Sequence, residues 1–124
     1  MSTIKVLITN LTHPLKDPLQ VRLCTSFFCR LRGLMFHFSL KQDDGLLFIG
    51  SRDSRLDSAI HMFFVFTNLA VIWIDSHFRV VDAVLARAWH PAYLPARAAR
   101  YILEVDPARF QEFTVGDQLE WHHG

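Results

Sequence analysis

Leu69-Ala70-Val71-Ile72-Trp73-Ile74, then Asp75-Ser76-His77-Phe78, then Arg79-Val80-Val81-Asp82-Ala83-Val84-Leu85-Ala86: this stretch decides the fold class. Its first six residues are apolar without alternation, the pattern of a strand covered on both faces. The segment from Asp75 to Phe78 turns the chain back into a second, valine-rich run. The stretch therefore predicts an antiparallel hairpin whose first strand is central in a sheet.

Working upstream, the apolar run from Ala59 to Phe66 is broken only by His61 and reads as another buried strand. Gly50 to Ser58 alternates Arg and Asp and reads as a surface loop. Before it, Asp43-Asp44-Gly45 signals a turn into a short buried strand, Leu46 to Ile49. Ser26 can cap a helix whose apolar stripe is Phe27, Phe28, Leu31, Leu34 and Met35. Leu19, Val21 and Leu23 alternate with polar residues, as do Ile4, Val6 and Ile8, which gives two further strands. The two prolines between Asn10 and Pro18 make that segment a loop.

Downstream, Trp89-His90-Pro91-Ala92-Tyr93-Leu94-Pro95 is barred from helix or inner strand by its prolines. Tyr101 to Val105 is a strand, Pro107 opens a short helix through Phe113, and Gly116-Asp117 turns into a last strand, Gln118 to Trp121. About eight short strands follow from these patterns. The expected fold is a mainly β single domain over residues 1–124. Its architecture is an antiparallel β-sandwich or open barrel with one or two short helices.

Composition agrees with a folded core. Of 124 residues, 51% are hydrophobic and 20% charged, with eleven Phe and three Trp. A net charge of +1 gives no electrostatic footprint for nucleic acid or a membrane surface. The start lacks a leader pattern, and no run of apolar residues is long enough to span a bilayer. The expected location is therefore cytoplasmic. There, Cys24 and Cys29 are expected as reduced, buried thiols, since their spacing matches no zinc or redox motif.

Six short motifs in order resemble one bacterial and archaeal family. Arg30-Leu31-Arg32-Gly33-Leu34-Met35 and Asp44-Gly45-Leu46-Leu47-Phe48 are similar to the opening of the DUF192 family. Ile60-His61-Met62 falls at its Met-containing segment, and Leu69 to Asp75 at its central strand. Tyr93, Pro95, Tyr101, Leu103 and Glu104 resemble its Y … P … Y-V-L-E segment, and Gly116-Asp117 its closing G-D. The resemblance implies a mainly β domain with no established activity. Asn68, Ala70 and Phe78 depart from it, standing where the family commonly has Pro, Asp and Gly. Phe63-Phe64 stands where it has Lys-Asn.

No nucleophile motif, metalloprotease motif or phosphate loop is present, so no catalytic residue is assigned and an enzyme is not the leading expectation. The histidines are isolated in sequence or terminal, and neither a metal site nor a cofactor is assigned. The leading expectation is a noncatalytic binding module for a small ligand or anion, formed by Arg30, His61, Trp89 and Tyr93 around one shallow cleft. Aromatic side chains held by prolines lose little entropy on binding, and Arg87, Arg97 and Arg100 lie close in sequence. His61 also reads as a core-edge histidine, and Arg30 as a structural clamp. The other classes are an accessory domain that docks on a protein partner and an enzyme of unrecognised type.

Overall fold

A computed structural model describes residues 4–25, 45–60, 62, 67–90 and 92–123. In chain order its elements are β1 (Lys5–Asn10), β2 (Leu19–Cys24), β3 (Gly45–Ser54), β4 (Leu69–Ile74), β5 (Val80–Ala86) and β6 (Ala99–Val105), then a 3-10 helix (Pro107–Glu112) and β7 (Leu119–His123). The seven strands form one sheet in the order β5-β4-β6-β3-β2-β1-β7. The helix expected from Ser26 to Met35 lies outside the described residues.

The hairpin read from the sequence is present. β4 pairs antiparallel with β5 on one side and β6 on the other, and all six of its residues are buried. Successive side chains of a strand face opposite ways, so a central strand with both faces covered must be apolar throughout. One face of the sheet packs Val6, Ile8, Val21, Leu47, Ile72 and Leu103 together. The other gathers Leu46, Phe48, Met62, Val71, Trp73 and Ile102.

The two ends of the sheet meet at one corner. Arg79, just before β5, pairs with Gln118, just before β7, in an isolated antiparallel bridge. Val80 N–H donates to Asp117 O at 2.9 Å, and Leu119 N–H to Phe78 O at 2.8 Å. These bonds curl the sheet into an open barrel and leave fewer exposed edge groups there. Of the two architectures expected, the open barrel is the one observed.

Three details differ from the sequence reading, and one expectation falls mostly outside the described residues. β2 and β3 run parallel, so the sheet is not wholly antiparallel. β3 continues through Ser54, past a register shift after Ile49, so half of the expected Gly50–Ser58 loop is strand. Its Arg-Asp alternation reflects solvent exposure rather than a turn. Of the expected Ala59–Phe66 strand, residues 61 and 63–66 lie outside the described residues; Ile60 forms a single bridge, with Tyr93. Finally, Cys24 is buried and disulfide-bonded, not a reduced thiol, and its partner lies outside the described residues.

Gly45 opens β3 because nothing larger fits. A Cβ there would lie 2.7 Å from Glu104 O and 2.9 Å from Val21 Cγ1 and Val105 Cγ1. The 3-10 helix starts as expected at Pro107, with Asp106 accepting from Ala108 N–H at 2.8 Å.

Candidate functional site

The Trp89–Pro95 loop is held at both ends and in the middle. Ile60 and Tyr93 exchange two backbone hydrogen bonds of 2.9 Å each. Met62 N–H donates to His90 O at 3.0 Å, and Trp89 N–H to Met62 O at 2.8 Å. Side chains fix the flanks. Asn68 Oδ1 accepts from Ala88 N–H at 2.9 Å, Asp82 Oδ2 from Ala96 N–H at 2.8 Å, and Pro95 O from Arg55 Nε at 2.9 Å.

Within this frame Trp89 has φ of 66° and remains 44% exposed. A bulky residue in the left-handed region is a strained one, tolerated only where its surroundings over-determine it. Tyr93 is half-buried against the second face of the sheet, and its Oη accepts from Arg87 N–H at 2.9 Å. The rings of His90 and Tyr93 sit 4.4 Å apart at 33°. The structure therefore brings Trp89 and Tyr93 into one braced loop and adds His90, which the sequence reading passed over as an isolated imidazole. Its signal was adjacency to Trp89 within a proline-bounded segment.

Arg30 and His61 lie outside the described residues. Ile60 and Met62, on either side of His61, are both bonded to the loop. Arg87 and Arg97 are exposed beside it. Arg100 is not available to it, because its Nε donates to Gly50 O at 2.9 Å and its guanidinium lies over Tyr101, 5.3 Å from the ring centre.

Three other polar groupings stand apart from the loop. Asp117 is buried, with one oxygen 2.8 Å from His13 Nδ1 and the other accepting from Asn10 Nδ2 at 2.8 Å and Thr114 N–H at 2.9 Å. Burial alone would raise its pKa, but these bonds and the nearby imidazole outweigh it and hold the carboxyl below its ordinary value. Arg109 is buried beside a cleft of about 700 Å³, lined in part by Lys16, Asp17 and Gln111. Its guanidinium is spent on Glu112 at 2.7 Å and on the carbonyls of Asp17 and Pro18, so it ties the 3-10 helix to the loop before β2. Glu104, in the middle of β6, is buried, and desolvation pushes its pKa up to about 7. Among the described residues, no three His, Cys, Asp or Glu side chains converge as a metal site. No helix among them is long and apolar enough to cross a membrane.

Comparison with known proteins bears on the fold and family. The sequence profile of DUF192, described as Uncharacterized ACR, matches residues 9–121. A UPF0127 protein of Thermococcus kodakarensis is 38% identical over 104 residues, 82% of this chain and 64% of that one. The UPF0127 protein of Pyrococcus horikoshii is 38% identical over 105 residues, 82% of this chain and 87% of its own length. The chain thus spans just under two-thirds of the Thermococcus relatives it matches, 64% and 65% in two of them. A crystallised Sinorhizobium meliloti protein, provisionally named a transcription regulator, superposes with a TM-score of 0.81 at 19% identity, over 97% of this chain and 94% of its own. At that identity the likeness concerns the fold.

Proposed function

The chain belongs to the DUF192 family, and from that footing we propose that it is a noncatalytic module that binds a small ligand or anion at the Trp89–Tyr93 loop. The observation that carries this reading is Trp89, strained at φ 66° yet kept exposed by bonds on both sides. A site whose aromatic groups are already ordered loses little entropy when a ligand stacks on them. Arg87, Arg97 and His90 supply donors for a carboxylate or phosphate, and Arg30 and His61 are proposed to complete the cleft.

Titration of inorganic phosphate and of citrate, followed by thermal midpoint and tryptophan emission, tests the reading. Binding to the folded state alone raises the midpoint by mass action. Trp89→Ala should abolish that rise while leaving the fold intact. If Trp89→Ala shows the same rise as the parent chain, the loop is not the site. Leu94, 45% exposed beside Trp89, supports a second reading in which the loop docks on a protein. That reading gains if neither anion moves the midpoint and the loop slows exchange only in a complex.

The sequence alone favoured the cytoplasm. The disulfide at Cys24 supports an oxidising compartment instead, or a disulfide-rich cytosol of the hyperthermophile kind.

A further inference from the structure

The loop that carries Trp89 is one rail of a two-railed ribbon. Met62 exchanges backbone bonds with Trp89 and His90, Ile60 bridges Tyr93, and Arg55 Nε reaches Pro95 O at 2.9 Å. Trp89 and Leu94 are both close to half-exposed. They stand five residues apart on one rail, no more than about 16 Å of chain. Leu56, 78% exposed, follows Arg55 on the other rail, at the Leu94 end. The ribbon thus offers two apolar contacts, one at each end, on a backbone that is already fixed.

Its free charge has one sign. From Ala83 to Leu103 the chain carries three arginines and neither aspartate nor glutamate. Arg87 lies just before Trp89 and Arg97 just after Leu94, both exposed. Among the described residues, no ion pair engages either guanidinium. The acids that border the two rails in sequence are engaged already. Asp82 accepts from Ala83 and Ala96 N–H at 2.8 Å each, and Asp57 pairs with Arg52 at 3.3 Å. A small anion can meet one end of this arrangement but not both. Nucleic acid fits it poorly, because Leu56 and Leu94 present no ring on which a base could stack and the net charge is only +1. An extended polypeptide fits, since its residues i and i+4 share a face and lie about 13 Å apart.

We propose that this ribbon is the docking surface for an extended acidic segment of another protein. Two apolar side chains four residues apart seat at Trp89 and at Leu56–Leu94, and carboxylates beyond each of them meet Arg87 and Arg97. The inference rests on the loop being the binding surface, and it names the anion taken there as the acidic side chains of a peptide.

Fluorescence anisotropy of the full chain with the tagged peptide Asp-Glu-Leu-Ser-Thr-Ser-Phe-Glu-Asp, with Leu and Phe in either order, tests it. One of the two orders should bind saturably. Replacing its acids by lysine, or both apolar residues by serine, should weaken binding at least about tenfold, as should Trp89→Ala or Leu94→Ser in the chain. Arg87→Gln combined with Arg97→Gln should flatten the salt dependence. Circular dichroism of each variant confirms that the sheet is intact. Equal affinity for acidic and basic peptides overturns the inference, as does unchanged binding by Leu94→Ser. No saturation by either order up to about 1 mM also overturns it. Tighter binding of an oligothymidylate of equal length would assign the ribbon to nucleic acid instead. If phosphate or citrate raises the midpoint of the parent chain but not of Trp89→Ala, and neither peptide binds, the loop stands as a small-anion site and this inference alone falls.

Discussion

The ring of Phe78 stacks on that of Tyr101, with centroids 5.5 Å apart and planes at 15°, although Phe78 must hold φ at 64° to do so. Trp121 closes the group edge-on, 4.9 Å from each of the other two rings. Phe78 is one of two non-glycine residues with positive φ among the described residues. It accepts backbone strain on the order of 1 kcal/mol in return for ring contacts of similar size at the barrel's closing corner.

That exchange can be measured. Phe78→Gly relieves the strain and loses the stack, so its net effect on urea unfolding should be within about 1 kcal/mol. Phe78→Ala loses the rings as the glycine variant does but keeps most of the strain, and should cost about 1 kcal/mol more than the glycine variant. Equal stability for the two variants would mean that the φ value carries no cost.

Glu104 sets a pH dependence of one sign. Its pKa rises from 4.5 unfolded to about 7 folded, so the folded state holds its proton more tightly between those values. Stability is therefore fullest below pH 4.5 and declines as pH rises toward 7, by on the order of 3 kcal/mol. Glu104→Gln should remove this slope and be the more stable protein at pH 8. Parallel denaturation curves for the two chains from pH 5 to pH 8 would show the account to be mistaken.

Asp117 acts in the opposite sense. Its folded pKa is depressed below 3.8, so its contribution is present above that value and is lost as pH falls through the folded pKa. Asp117→Asn should lower stability at neutral pH and flatten the acid limb of the unfolding profile. A mutant with an unchanged acid limb would assign that limb to other carboxyls.

Gly45→Ala should destabilise by at least about 2 kcal/mol, because the new methyl would meet backbone oxygen at 2.7 Å in a central strand. Gly116→Ala is the useful contrast. Nothing lies within 4 Å of its Cβ position, and only the positive φ of 98° opposes the change. Chemical denaturation of both variants checks the order, with Gly45→Ala expected to be the worse.

The hairpin was legible because β4 is apolar on both faces, which only a covered strand requires. The helical opening at Pro107 was legible from its cap chemistry. The extension of β3 was not, since Arg52 and Asp53 are exposed and exposed strand residues carry no apolar signal. The parallel β2–β3 pair was also hidden, because pairing direction depends on residues distant in sequence. At the site, proline and aromatic content marked the loop. The bracing by Asn68, Asp82 and Arg55 comes from side chains 14 to 40 residues away, which no local pattern reveals. Glu104 was quoted only as part of a motif, and burial of an acid inside a strand cannot be read from its neighbours in sequence.

β1 lies between β2 and β7, and its partner Val6↔His123 joins positions at opposite ends of the described chain. During synthesis, therefore, β1 leaves the ribosome before the strand it must pair with, β7. Until Leu119–His123 emerges, one row of β1 amides and carbonyls has no neighbour, and the corner bridge at Gln118 cannot form. The barrel can close only after translation has passed β7, and a nascent chain stalled before that point would expose an open edge to chaperones or to other nascent chains.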